Sequence, residues 1–268
     1  MIEAARTVFY ENRTNWKRTL RLARYELKTK NNGTVFGFFW NFLNPAFQIL
    51  VYWFVFSIGL QVTAPRGGYP YIIWMITGVI PWFYISASLQ ESAVSIYSYR
   101  GILKRMYLPL SIVPVKTVLS GFIGHVWAMM VVFVVFFISG SPINPMVYQL
   151  PYYMFAMVCF LTGWSLFASA ITVVFKDFQK ILSSVIRLLF YISPIVWSQE
   201  SLSDNLQAVL SYNPFGYILL GYRNCILYGY SLTVYWKMGI YFWTVTILLF
   251  LVGASVHMKF RKKFMDLI

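Results

Sequence analysis

Long apolar runs, several at or above the roughly 20 residues a helix needs to cross a bilayer, recur along this chain and leave little length for anything else. They cover about 37–60, 71–97, 110–139, 150–175, 181–197 and 234–257. Backbone polar groups inside hydrocarbon must be satisfied within their own segment, so these runs predict helices. The expected fold is all-α: a polytopic membrane protein with six transmembrane helices in a single domain over residues 1–268. Only 11 % of the residues are charged and 59 % are hydrophobic, where a soluble domain carries about 25 % charged residues. That balance excludes a soluble enzyme. The polar, basic N-terminus does not read as a cleavable signal peptide.

The formal charge of +14 raises the question of nucleic acid, and the distribution of the charge answers it. Nineteen of the 22 Lys and Arg residues fall before residue 37, in 98–116, in 176–187 or in 259–263; Arg66, Arg223 and Lys237 lie in the alternate loops. Basic residues gathered in every second loop are the mark of cytoplasmic loops. Both termini are therefore expected in the cytoplasm, with an even number of crossings and no nucleic-acid partner. The two cysteines, Cys159 and Cys225, offer neither a metal spacing nor a disulfide.

Before the first span, residues 14–30 read as an amphipathic helix lying on the membrane surface. Trp16, Leu20, Ala23 and Leu27 recur at helical spacing, while Lys17, Arg18, Arg21, Arg24 and Lys28 cover much of the rest. Lipid anchoring and contact with a partner both fit such a helix. Span 1 is crowded with aromatics, and Pro45 near its start predicts a kink. At about 100° per residue, Phe38, Phe42, Trp53 and Phe56 share one narrow face, and Phe36, Trp40, Phe47 and Phe54 share another. One face is expected to line a path or pack on a neighbour and the other to meet lipid.

Residues 98–116 join two apolar runs and carry Arg100, Lys104, Arg105 and Lys116 with no acid. Their charge places them in water on the cytoplasmic side. Residues 99–107 can form a short helix with Ile102, Leu103 and Met106 on one side and the cations largely on the other. Pro109 limits its length, since the residue before a proline avoids helical angles. Such a helix fits a contact surface for a cytoplasmic partner, or an ordinary loop anchored at the headgroups.

Span 2 is interrupted by Gly78 and Pro81 and contains one carboxylate, Glu91. An acid within a span is a functional candidate; pairing with Arg100 or Lys104, or reaching the headgroups, is the simpler expectation. His125 lies near the middle of span 3, where hydrogen bonding to a neighbouring helix is expected rather than a proton relay. Small residues in span 4, Gly163, Ser165, Ala168, Ser169 and Ala170, permit close helix approach. Residues 200–232 are apolar in patches but punctuated by Asn213-Pro214, Gly216, Gly221 and Gly229. Neither half is long enough to span, and parity forbids one extra crossing. Two short helices forming an outer re-entrant hairpin, buried against protein, satisfy both conditions.

Neither a G-x-x-x-x-G-K-[ST] phosphate loop nor an H-E-x-x-H zinc motif occurs, and the eight acids form no paired constellation in a span. Catalysis by this chain alone and ion-coupled transport are therefore not expected. The order of the elements resembles the permease subunits of type-2 ABC exporters that move polysaccharides and teichoic acids. Trp40 to Ser57 is similar to that family's first span, and Leu103 to Pro114 to its cytoplasmic coupling region. Phe175 to Lys180 with Leu189 to Ile195 is similar to the turn and fifth span. Asn213-Pro-Phe-Gly216 with Tyr222 to Gly229 is similar to the outer re-entrant helices. Leu22 to Lys30 and Tyr52 to Phe56 look closest to the wall teichoic acid permeases of Gram-positive bacteria.

The resemblance implies a multi-pass protein of a bacterial cytoplasmic membrane in which two copies form a pathway. Each copy would bind a separate ATPase subunit, a 2+2 assembly, with ATP and Mg2+ on the partner and no cofactor on this chain. The cargo would be a polymer on a polyprenyl diphosphate lipid, most specifically wall teichoic acid. Phe38, Phe42, Trp53 and Phe56 would contact the cargo, because faces of sugar and polyol units pack well on aromatic rings. Arg100, Ile102, Leu103, Lys104, Arg105 and Met106 would dock into the ATPase. Two other readings stay open: an integral membrane enzyme of lipid-linked sugar metabolism, and a small-drug exporter of the same superfamily. The topology has a direct check. Single cysteines, Gly67→Cys and Asn144→Cys, are expected to label from outside intact cells; labelling of Gly67→Cys only after permeabilisation overturns the six-span arrangement.

Overall fold

A computed structural model of the chain describes residues 1–30, 33–59, 61, 68–103, 108–197, 205, 210 and 212–267, with the side chains of 38, 41, 102, 103, 262, 263 and 265–267 excepted. The described residues form helices and their connections, with no strand among them. In chain order these are α1 (Ile2–Thr14), α2 (Trp16–Thr29), α3 (Trp40–Trp53, continued by a π-helical turn over Phe54–Gly59), α4 (Tyr71–Leu103), α5 (Ile112–Ser139), α6 (Leu150–Val174), α7 (Phe178–Ile192), α8 (Pro214–Arg223) and α9 (Trp236–Leu267). The boundaries follow local chemistry. Gly140, at φ +64°, closes α5 in a left-handed conformation that costs glycine little. Asn213 caps α8 by accepting from the Phe215 amide at 3.0 Å, and Pro214 takes the first helical position, where no amide proton is needed.

Five stretches among the described residues are long and apolar enough to cross a bilayer: Phe42–Gly59, Tyr71–Gly101, Ile112–Ser139, Pro145–Val174 and Leu232–Arg261. The expected fifth span, 181–197, is different. Its helix, α7, has 15 residues, or about 22 Å at 1.5 Å per residue, short of a hydrocarbon core of about 30 Å. Ser193 adopts extended backbone, and the chain reaches further without helix. Ser183 near the start of α7 approaches Gln90 of α4, whereas Tyr71 at the other end of α4 donates to the Val196 carbonyl at 2.8 Å. The run through Trp197 therefore follows α4 over most of its length.

α4 is the central helix and packs on α5, α6, α7 and α8. Ile73, Met75, Val79, Ile85 and Leu89 are among its buried residues. It continues unbroken through Gly78 and Pro81 and on to Leu103, although a break was expected at the first two and an end near residue 97. A helix enclosed by others keeps its geometry at a proline because its neighbours can supply compensating contacts. Residues 99–103 are accordingly the last turn of α4, and the rest of the expected coupling helix lies outside the described residues.

Within the expected re-entrant stretch, 200–232, α8 is continued directly by a π-helical turn over Asn224–Tyr228; most of 198–211 lies outside the described residues. Leu219, Tyr222 and Cys225 are buried in the main core. Arg223, at its end, is also buried. Its guanidinium donates to the carbonyls of Pro194 and Ile195 and lies 3.6 Å from the Trp74 ring centroid. Gly78 makes room for it, since a Cβ at that position would collide with the guanidinium. One cation thus joins α8, α4 and the segment after α7.

α6 and α9 approach closely at Gly163 and Gly253, where small residues let backbones meet. A Cβ on Gly253 would lie 2.5 Å from the Gly163 carbonyl oxygen, an atom that cannot rotate away. Gly253→Ala is expected to destabilise the solubilised protein by about 1–3 kcal/mol, the usual cost of overpacking. Thermal unfolding in detergent checks this against Gly101→Ala, which meets nothing within 4 Å and is expected to leave the transition unchanged or raise it slightly.

Candidate functional site

The end of the bundle carrying both terminal segments is held by ion pairs. Glu11 of α1 meets Arg261 of α9 at 2.6 Å and accepts from Ser111 Oγ at 2.5 Å. Glu26 of α2 meets Lys116 of α5 at 2.7 Å, and Lys30, just after α2, meets Glu91 of α4 at 2.5 Å. Each pair ties the α1–α2 segment to a different long helix. α2 lays Thr19 and Ala23 against the bundle, chiefly on α5, while Lys17, Arg18, Arg21, Arg24 and Lys28 remain exposed. Its apolar face is thus occupied by protein; Trp16, expected on that face, is exposed instead.

Lys116 is 1 % exposed, and its Nζ lies 3.3 Å from the centroid of the Tyr99 ring. The expectation grouped it with the cations of a water-exposed loop; instead it turns inward to Glu26. Glu91 pairs with Lys30, not with Arg100. Nine residues separate Glu91 from Arg100, which at about 100° per residue puts them on opposite sides of α4. Arg100 sits 4.4 Å above the Tyr97 ring.

Between α2, α3, α4 and α5 lies an open cleft of about 700 Å3. It extends from Glu26 and Lys30 past Gln90 and Ser88 to His125. His125 Nε2 is 2.8 Å from the Tyr222 hydroxyl of α8, and its ring stacks on Tyr84 at 5.2 Å. The expected hydrogen bond to a neighbouring helix is present. Gly121 and Gly124 keep that side of α5 low, facing Tyr84 and Leu27 respectively.

Among the described residues, Trp40 is the one member of the two aromatic stripes that lines this cleft. On α3, Phe42 is half-buried, and Trp53 and Phe56 pack partly against the main core. Phe38 belongs to the turn Gly37–Phe39 before α3, with its side chain outside the described set. The second aromatic stripe is largely open: Phe36, Phe47 and Phe54 are exposed, and Trp40 lines the cleft. Arg100 is exposed near the end of α4. Ile102 and Leu103 complete that helix in backbone only, and Lys104, Arg105 and Met106 lie outside the described residues. The sequence reading missed the Lys116–Glu26 and Lys30–Glu91 pairs and the role of Arg223. For Arg223 a signal existed, since a single cation in an otherwise apolar patch calls for a buried partner.

Taken together, these features define a polytopic helical membrane protein with a polar cleft reaching inward from an ion-paired end. The chain belongs to the ABC-2 type transporter family, whose model matches residues 17–227. It is thus a membrane component of a transporter and not itself a catalyst. It is 26 % identical over 244 residues to the O-antigen export system permease protein RfbA of Klebsiella pneumoniae, covering 91 % of this chain and 92 % of the relative. Identity to the RfbA protein of Myxococcus xanthus is also 26 %, over 215 residues, 80 % of this chain and 81 % of the relative. The polysialic acid transport protein KpsM of Escherichia coli is 21 % identical over 207 residues, 76 % of this chain and 79 % of the relative.

The two partners of the Glu26–Lys116 pair are not equivalent, because Lys116 is 1 % exposed and Glu26 is 24 % exposed. Removing one partner of a buried pair costs about 3–5 kcal/mol when the other charge stays desolvated. Glu26→Gln is therefore expected to destabilise the solubilised protein more than Lys116→Met. The double variant should recover part of the loss. Thermal unfolding of the three variants measures the order, and equal single losses would refute the burial argument.

Proposed function

We propose that this chain is the permease subunit of an ATP-driven exporter of a lipid-linked polysaccharide in the cytoplasmic membrane of a bacterium. The observation that carries this reading is similarity over nine-tenths of both chains to a permease named for O-antigen export. A second relative, named for polysialic acid transport, supports polysaccharide as the broader cargo class. In this reading both termini face the cytoplasm, in keeping with the basic charge of the terminal end. Two copies form the pathway, and each engages an ATPase subunit that carries ATP and Mg2+.

Residues 99–107 would meet that ATPase, through Arg100, Ile102, Leu103, Lys104, Arg105 and Met106. Because 99–103 are continuous with α4, movement at the ATPase would be delivered directly to the central helix. The ion pairs of Glu26 and Glu91 would carry the same movement into α2. Phe38, Phe42, Trp53 and Phe56 would contact the exported chain, with the opposite stripe against lipid or protein. The narrower assignment to wall teichoic acid rests on the resemblance of residues 22–30 and 52–56. It would make the cargo a polyol phosphate chain on a polyprenyl diphosphate lipid.

Purification with the ATPase subunit, followed by mass spectrometry of bound lipid-linked material, separates these cases. A sugar polymer supports the broader reading, and a polyol phosphate polymer supports the narrower one. Absence of a copurifying ATPase would sink both. Within an active complex, Phe42→Ala with Trp53→Ala is expected to reduce ATP-driven export about tenfold, the effect of about 1.4 kcal/mol on the rate-limiting barrier. ATPase assembly should be unchanged. Phe47→Ala with Phe54→Ala should leave export near its original rate; the reverse pattern would assign the pathway to the other face.

A further inference from the structure

We propose that the inner part of the cleft between α3, α4 and α5 is a subsite for a neutral, hydroxyl-bearing sugar ring, held by Ser88 and His125. The inference deepens the permease reading and rests on it. Its starting point is one unmet polar atom with a hydroxyl on the same cleft. His125 Nδ1 is buried without a hydrogen-bond partner, and Ser88, whose hydroxyl lies against Tyr84, keeps capacity for a further bond; both residues line the cleft. Each residue is only 3 % exposed. Leaving a group such as Nδ1 unpaired costs free energy that a ligand can restore.

The kind of ligand follows from the donor and acceptor logic. His125 Nε2 faces the Tyr222 hydroxyl. In one neutral tautomer Nδ1 therefore needs an acceptor, and in the other it needs a donor. A sugar hydroxyl supplies either, as it does for the Ser88 hydroxyl. A phosphate oxygen without a proton supplies only the acceptor.

Charge leads to the same class. Lys30 is the only cation among the described residues lining the cleft, and Glu91 holds it at 2.5 Å. Glu26 lines the cleft too, and its partner Lys116 lies behind it. A phosphate group entering here would meet two carboxylates and no unpaired cation. Asn44, Gln48, Ser86 and Ser120 also line the cleft and provide uncharged hydrogen-bonding groups, and Trp40 and Phe83 provide ring faces. Hydrocarbon tails gain nothing from hydroxyls and amides, whereas a sugar ring uses both kinds of surface. The volume of about 700 Å3 falls in the usual range of ligand sites, about 300–1,000 Å3.

The test uses the permease–ATPase complex in lipid nanodiscs. Cys159 and Cys225 are replaced by Ala, and Ser86→Cys is added as a reporter on the cleft wall. The readout is the rate of maleimide labelling with dodecyl diphosphate-linked N-acetylglucosamine or with dodecyl diphosphate alone. The sugar-bearing probe is expected to slow labelling about fivefold, the scale of one neutral hydrogen bond, and the bare diphosphate to leave it unchanged. Ser88→Ala and His125→Phe should each restore the probe-free rate, with ATPase copurification retained. His125→Phe keeps a ring against Tyr84, and Ser88→Ala removes one oxygen, so a folding defect in one variant leaves the other to decide. Equal slowing by both probes would assign recognition to the phosphate or alkyl group and overturn the proposal. So would the absence of slowing by either probe, or protection that survives both substitutions. ATP-driven glycan export by the unaltered complex is measured in parallel. Export without probe protection defeats the subsite alone, whereas absence of export defeats the permease reading on which it rests.

Discussion

Charge and unpaired backbone groups are expensive in hydrocarbon, and this structure is arranged around that cost. Isolated burial of an ionised group is unfavourable by far more than a protein's net stability, so each deeply placed charge needs a dedicated partner. Lys116 has Glu26 and the Tyr99 ring; Arg223 has two carbonyls and the Trp74 ring. These contacts join elements far apart in sequence. The first fastens α2 to α5, and the second fastens α8 to α4 and to the segment following α7. Apolar packing alone would permit helices to slide, because lipid tails are as apolar as the helix faces. Directional contacts of this kind specify one arrangement.

That arrangement gives α4 its importance. It is enclosed by other helices, reaches the expected ATPase-facing segment at one end, and meets the Arg223 cluster at the other. Its middle supplies Tyr84 and Ser88 to the cleft. A displacement at Leu103 would therefore be felt both in the cleft and at the far end of the bundle. The glycines support this geometry by removing side chains at contacts. Gly78 admits Arg223, Gly121 admits Tyr84, and Gly253 admits the Gly163 carbonyl.

α3 contrasts with α4. No residue of its apolar span is fully buried within the chain, and Phe47, Leu50, Val51 and Phe54 are exposed. A helix so lightly held by its own chain meets lipid or another protein over most of its surface. The proposed two-copy pathway uses this property, since a movable wall suits a polymer that must slide without being gripped. The cleft lies where lightly held α3 faces tightly packed α4 and α5.

The sequence by itself determined the class of fold, because about 20 consecutive apolar residues admit few structures other than a membrane-crossing helix. It also determined the basic ends and the resemblance later matched by the family over residues 17–227. These are local properties, legible from spacing and residue type. Tertiary structure alone decided that Glu91 finds Lys30, that Lys116 points inward, and that α4 passes Pro81 without a break. It likewise decided that α7 ends at Ile192 and that Ser88 meets His125 at one cleft. The reason is physical: partners 61 and 90 residues apart, such as Lys30–Glu91 and Glu26–Lys116, are chosen by how helices rotate and pack. Apolar faces in lipid leave that rotation nearly free until charged and hydrogen-bonding groups select one solution.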